Sequence, residues 1–289
     1  MSTKQTIQDE RPVVLITGCS AGGIGHSLAL EFARQQCQVY ATARDTSKLD
    51  TGLSMLGIHS QQLDVTDTQS ITDAVSRILS ETGRIDVLVN NAGRGHVGPA
   101  IEADIGGVQQ LVDVNVTGVL RVCQAVAPQM MDKRRGTIVN VGSVGAYAAS
   151  PWIGVYAATK AALHALSDSL RLEMQPFGVS VMVVAPGSVT SNLIEKQNDT
   201  LLVAPSSRYA KALPAIREKA EFGKHIRQMP ADAFAQTVVR KILHTPNKAY
   251  ITYGKFAFFA WLLYYLPPAI KDAIFARRFG TRQLKQDLN

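Results

Sequence analysis

Val13-Val14-Leu15-Ile16 runs directly into Thr17-Gly18-Cys19-Ser20-Ala21-Gly22-Gly23-Ile24-Gly25 and then into the apolar stretch Ser27-Leu28-Ala29-Leu30-Glu31-Phe32-Ala33. An unbroken run of branched aliphatic residues reads as a parallel strand buried on both faces. Glycines after such a strand let the backbone approach a pyrophosphate. The free amides and the dipole of the following helix favour its negative charge. Strand, glycine turn and helix in this order predict a phosphate cradle rather than a flexible turn. Further along, Gln38-Val39-Tyr40-Ala41-Thr42-Ala43 predicts a second strand that ends at Arg44. An acidic residue at this point binds ribose hydroxyls, whereas an arginine suits the 2′-phosphate of NADP. Asp45 follows immediately and competes with that reading.

Further strands are expected at Ile85-Asp86-Val87-Leu88-Val89, Gly136 to Val141, Val179 to Val184 and Ala249 to Tyr253. Longer amphipathic segments separate them. This alternation predicts an α/β fold, one Rossmann-type doubly wound parallel sheet with helices on both faces. A chain of 289 residues can bury one large core. No repeat, linker or low-complexity block divides it.

A second constellation supplies chemistry. Tyr156 and Lys160 are four residues apart, which puts them on one face of a helix. A free tyrosine has a pKa of about 10 and is a poor proton donor or acceptor near neutrality. A neighbouring ammonium favours its phenolate. Ser143 can then hold a carbonyl oxygen within reach of the phenol. Together these residues make the proton half of a carbonyl reduction. Alone, a Tyr and a Lys at this spacing would be an ordinary solvated face.

With those motifs in order, the chain resembles the short-chain dehydrogenase/reductase family over about residues 12 to 255. The resemblance rests on Gly18 to Gly25, Asp64-Val65, Asn90-Asn91-Ala92-Gly93, Asn115, Ser143, Tyr156, Lys160 and Pro186-Gly187. It implies Tyr156 as general acid/base, Ser143 as ligand of the substrate oxygen, and Lys160 as ligand of the nicotinamide ribose that lowers the tyrosine pKa. Asn115 is implied to hold a water linking the lysine to solvent, and the hydride is implied to leave the B face. For the cofactor, NADPH, the implied contacts are Gly18, Ser20, Gly23, Ile24 and Gly25 at the pyrophosphate and Arg44 at the 2′-phosphate. Asp64 and Val65 would meet the adenine. Asn91, Ala92 and Gly93 would line the ribose, with Pro186, Gly187, Val189 and Ser191 near the nicotinamide.

Two features depart from the family pattern. Four residues, not three, separate Gly18 from Gly23, which leaves open which amides face the pyrophosphate. Ser191 stands where a threonine is usual, with Thr190 as its competitor.

Cys19, Cys37 and Cys123 show no metal-ligand spacing and suit a reducing compartment, so neither metal nor disulfide is expected. The formal net charge of +7 is modest, and no nucleic-acid partner is expected. Residues 1–255 are expected to form the catalytic domain, with a slightly basic substrate lid at about 191–229. Residues 256–289 form a hydrophobic and basic extension, with Phe256-Ala257-Phe258-Phe259-Ala260-Trp261-Leu262-Leu263-Tyr264-Tyr265-Leu266 ahead of Pro267-Pro268. That run is shorter than the roughly 20 residues that span a bilayer. It suits a membrane-surface segment, a subunit interface or a cover over the site mouth.

The N-terminus carries no apolar signal stretch, so a cytoplasmic protein is expected, with the ER or lipid-droplet surface as a further site. A homo-oligomer is expected. Within the family the chain is similar to fungal NADPH-dependent 1-acyldihydroxyacetone-phosphate reductases, through its double glycine, Leu172 to Phe177 and Met229 to Ala235. This similarity implies reduction of an acylated ketone phosphate to the 1-acylglycerol 3-phosphate. The alternatives are a bulky sterol-like, retinoid or secondary-metabolite ketone, or a non-redox reaction on the same scaffold.

Overall fold

Seven parallel strands build one sheet: β1 (Val13–Ile16), β2 (Gln38–Ala43), β3 (His59–Gln62), β4 (Val87–Asn90), β5 (Gly136–Val141), β6 (Val179–Pro186) and β7 (Tyr250–Tyr253). Their spatial order is β3-β2-β1-β4-β5-β6-β7, in a computed structural model that describes residues 10–191, 203, 206–221 and 227–287. The chain reverses direction of travel across the sheet between β1 and β4. A crevice opens at the carboxyl ends of strands at such a switch point.

The helices are α1 (Ile24–Arg34), α2 (Thr68–Thr82), α3 (Ile105–Val112), α4 (Gly118–Asp132) and α5 (Gly154–Met174). They are followed by α6 (Leu213–Ala220), α7 (Ala231–His244), α8 (Ala257–Tyr264), α9 (Pro268–Arg278) and α10 (Thr281–Asp287).

The period of two along each strand divides the core between the faces. Val14, Ile16, Val39 and Ala41 pack with Phe32 of α1 and Phe234 of α7. Val13, Leu15, Leu88 and Ile138 pack on the other face with Ile71, Val122 and Leu163 of α2, α4 and α5. Helix ends follow local chemistry. The Asp67 carboxylate accepts the amides of Gln69 and Ser70 to start α2, and Gly83 ends it at φ 71°. By contrast, α1 starts at Gly23 with no side-chain cap. Its first amides are therefore open to a ligand.

Strand β4 starts two residues later than the apolar pattern suggests. The Asp86 carboxylate accepts the Val13 amide at 2.9 Å and pairs with Arg84 at 2.9 Å, while its backbone amide donates to the Val13 carbonyl at 2.8 Å and its carbonyl accepts the Thr137 amide at 2.9 Å. Strand β6 continues to Pro186 because β7 pairs with it as far as Tyr253.

The extension does not lie apart from the sheet domain. A third cluster joins Val97 and Trp152 to Ala212, Ile216 and Ala220 around α6, with Phe279 and Leu284 packed against it. The Trp152 indole donates to the Phe279 carbonyl at 2.8 Å. Among the described residues no helix is long and apolar enough to cross a membrane. Of the expected lid, residues 192–202, 204–205 and 222–226 lie outside the described residues.

Phe32 is fully buried between α1 and the sheet. Phe32→Ala should lower the free energy of unfolding by about 3–5 kcal/mol, read from urea titration.

Candidate active site

The extra residue of the glycine turn is absorbed inside the turn. Gly18 and Gly22 both adopt φ 73°, and the Gly23 amide donates back to the Ser20 carbonyl at 3.0 Å. Cys19 donates to the Thr42 carbonyl and Ala21 to the Lys48 carbonyl, each at 2.8 Å, while the Gly22 amide meets His26 at 3.4 Å. Ser20 and Ile24 line the large cavity beside the turn. A Cβ on Gly18 would stand 2.6 Å from the Ala92 Cα, and one on Gly25 would stand 2.4 Å from the Asn91 amide nitrogen. Gly25 does not line the cavity. It lets α1 start against Asn91. Cys19 is a small buried core residue whose thiol burial pushes up to about 12.

The cavity has a volume of about 1570 Å³, more than a small substrate alone needs. Gly18, Ser20, Gly23 and Ile24 line one end, with Arg44, Asp64 and Val65 beyond them. Asp45 lines the same wall, with one carboxylate oxygen engaged. Its carboxylate accepts the Ser47 amide at 2.9 Å and the Ser47 hydroxyl at 2.6 Å, and these bonds hold its pKa below the usual range. Asn91, Ala92 and Gly93 continue the wall, followed by Pro186, Gly187, Val189 and Ser191. Thr190 turns away, its amide donating to the Met229 carbonyl at 3.0 Å and its hydroxyl to the same carbonyl at 3.4 Å. The room, the cradle without Cβ atoms and the uncapped helix start together fit a dinucleotide.

Ser143, Tyr156 and Lys160 line the middle of the same cavity. Ser143 follows β5 and caps a short turn, its hydroxyl accepting the Gly145 amide at 3.0 Å. Tyr156 and Lys160 sit one turn apart on α5. Burial pushes the Tyr156 phenol up, while a hydrogen bond with Ser143 pulls it the other way. Burial likewise pushes Lys160 down to about 8. The Lys160 ammonium donates to the Val141 carbonyl at 2.9 Å.

The expected lowering of the phenol by the lysine is therefore absent from this arrangement. Desolvation of the phenolate is the largest cause, and the Lys160 ammonium is held on the Val141 carbonyl.

Asn115 stands just behind the cavity wall. It lies in a π-helical turn, Asp113–Thr117, and does not line the cavity. Both its amide hydrogens are taken, by the Arg94 carbonyl at 2.9 Å and the Thr159 hydroxyl at 3.0 Å, and its oxygen accepts the Arg94 amide at 2.9 Å. It still borders Lys160. A Cβ on Gly93 would stand 3.3 Å from the Asn115 oxygen and 3.6 Å from the Lys160 nitrogen.

A family model described as short chain dehydrogenase matches residues 12–202. The chain belongs to the short-chain dehydrogenase family. As a member it is an oxidoreductase on a scaffold that binds a nicotinamide cofactor. It is 38% identical over 274 residues to a short-chain dehydrogenase of Penicillium ochrochloron, covering 94% of this chain and 99% of that one. It is 42% identical over 192 residues to an NADPH-dependent 1-acyldihydroxyacetone phosphate reductase of Schizosaccharomyces pombe, covering 66% of this chain and 64% of that one. A solved short-chain dehydrogenase from Streptomyces avermitilis superimposes with a TM-score of 0.77 at 28% identity, covering 97% of this chain and 99% of that one.

Beyond this family frame, the remaining cavity wall comes from residues that the motifs do not mark. Phe256, Phe259, Ala260 and Leu263 face inward from the start of the extension and α8, joined by Ile274 and Phe275 of α9. Phe258 and Tyr265 face outward. Of the three expectations for this aromatic run, the inward face meets the one of a cover over the site. His164 was also unmarked. It lies one turn beyond Lys160 on α5, and its Nε2 accepts the Ser143 amide at 3.4 Å. Gly142 allows this, since a Cβ there would meet the imidazole at 2.1 Å.

Burial pushes His164 down to about 4, with the Lys160 charge adding and Asp168 opposing. A folded pKa below the unfolded one means that the unfolded chain binds more protons between about 4 and 6.5. The contribution of neutral His164 is complete above that window and is lost as pH falls through it. Unfolding free energy measured from pH 7 to pH 4 should therefore fall more steeply in the wild type than in His164→Asn. Parallel curves would count against a buried neutral imidazole.

Proposed function

We propose that this short-chain dehydrogenase is an NADPH-dependent ketone reductase whose substrate is a 1-acyldihydroxyacetone phosphate. The observation that carries the reading is the convergence of Ser143, Tyr156 and Lys160 on the wall of the cavity that also holds the glycine turn. Ser20 and Ile24 are the residues assigned to the pyrophosphate, because the neighbouring turn amides are spent internally. Arg44, with Ser47 and Lys48 on the same wall, suits a 2′-phosphate, and Ser47 engages one carboxylate oxygen of the Asp45 that lies among them. The apolar wall from α8 and α9 suits an acyl chain, and the likeness to the Schizosaccharomyces pombe reductase supports the same choice.

The bound cofactor's contribution is the hydride delivered to the ketone carbon. Ser143 orients the ketone oxygen towards the phenol. Tyr156, kept protonated at neutral pH by its raised pKa, gives its proton to that oxygen as it becomes a hydroxyl. Lys160, pushed down to about 8, can pass a proton to the phenolate so formed. The gap beside Gly93, bordered by Lys160 and Asn115, is the route assigned to its reprotonation.

Tyr156→Phe should lower kcat by roughly 10²–10⁴-fold while the NADPH Kd from fluorescence titration barely moves. Full retained turnover would sink the mechanism. Arg44→Ala should raise the NADPH Kd about 10–100-fold, the worth of a charge-assisted contact, and leave NADH affinity nearly unchanged. Equal weakening of both cofactors would remove the 2′-phosphate assignment. Reduction of bulky neutral ketones, with none of the acyl phosphate, would keep the mechanism and replace the substrate.

A further inference from the structure

Two cations from distant parts of the chain meet at one edge of the catalytic cavity. Lys219 comes from α6 and Arg278 from the last turn of α9, and both line the cavity together with the Phe279 ring. The Lys219 ammonium lies 4.3 Å from the centroid of that ring, and the Arg278 guanidinium carbon lies 5.7 Å from it. The backbone that carries the ring is tied down, since the Phe279 carbonyl accepts the Trp152 indole at 2.8 Å. A single anchored aromatic thus holds two positive groups beside an apolar wall.

Bringing like charges together where water is scarce disfavours both. The effect is visible at Lys219, which burial pushes down to about 8 with the Arg278 charge adding. Glu218 pairs with Arg278 at 2.6 Å and offsets part of this charge. Glu218 and the nearby Glu221 do not line the cavity, whereas both cations do. An anion placed at the cavity edge would meet an ammonium and a guanidinium at once, the donor set that suits phosphate.

We propose that Lys219 and Arg278 form an anion subsite that binds the phosphate monoester of the substrate, at the edge of the cavity that also holds Ser143 and Tyr156. In naming the phosphate as the substrate's own, the assignment rests on the reading under Proposed function. It adds a consequence for selectivity. The headgroup bridges α6 to α9, so the extension contributes to choosing the substrate as well as covering it.

Decyl phosphate and decanol test the subsite without turnover. Calorimetry on the protein saturated with NADP⁺ fills the cofactor's own phosphate positions first. The wild type should bind decyl phosphate at least about 10-fold more tightly than decanol. Lys219→Met and Arg278→Gln should each erase most of that ratio, and Lys219→Arg should keep it, which separates lost charge from lost folding. Equal affinity for the two probes in the wild type, or full decyl phosphate binding in the double variant, would overturn the subsite.

In kinetics, the ratio of kcat/KM for 1-acyldihydroxyacetone phosphate over the same acyl ketone without phosphate should fall about 10–100-fold in Lys219→Met, through KM more than kcat. An unchanged ratio would equally overturn it. Should the wild type reduce no acyl phosphate yet bind decyl phosphate in the variant-sensitive way, the substrate reading fails and the subsite stands.

Discussion

The carboxamide of Asn91 donates to the carbonyls of Thr17 and Gly18 at 2.9 and 2.8 Å, and the Thr17 hydroxyl accepts the amides of Asn91 and Ala92, both at 3.1 Å. These four bonds tie the turn after β1 to the turn after β4 where the sheet changes direction. They also explain two absent Cβ atoms. Gly18 and Gly25 both lie where a methyl group would collide with this clamp or its neighbours. Without the clamp, the glycine turn and the strip from Asn91 to Gly93 would not share one wall, and the cavity would lose its continuity. A buried ladder extends the same logic towards α5, from Asn90 to Asn140 to Ser167, each step at 2.9 Å. It fixes the helix that carries Tyr156 and Lys160 against the middle of the sheet.

The chemistry of the site is set by desolvation more than by pairing. Tyr156 is pushed up and Lys160 and His164 are pushed down, each with burial as the largest cause. All three shifts favour neutral side chains. A neutral phenol is a proton donor, and a neutral imidazole can accept the Ser143 amide. One dry environment therefore keeps the phenol and the imidazole neutral and leaves Lys160, at about 8, an ammonium that gives up its proton more readily.

Much of this could be read along the chain, because the information is local. Buried strands announce themselves by unbroken aliphatic runs, and β1, β2 and β5 fall at the expected residues. Glycine and polar spacing marked the cofactor half in the same way. The boundary of β4 was less legible because the Asp86 carboxylate also serves Val13 on β1 and Arg135 just before β5. Competition between Thr190 and Ser191 was also undecidable locally, since the outcome depends on the Met229 carbonyl. His164 carried a visible signal, four residues from Lys160, yet its role depends on how closely Gly142 approaches it. The substrate half was the least legible part. Phe279 has no meaning as a site residue until Trp152, 127 positions away, is placed beneath it.

That separation has a consequence for how the molecule assembles. Contacts between residues far apart in sequence carry a larger closure cost and form late. During synthesis the glycine turn and the Tyr156 helix can dock on the sheet while the chain is still growing, whereas Phe279 is made 127 residues after Trp152. The nascent protein therefore gains the glycine turn and the Tyr156 helix before it gains the apolar wall from α8 and α9. In the interval the face of the cavity that α8 and α9 will cover lies open to other chains.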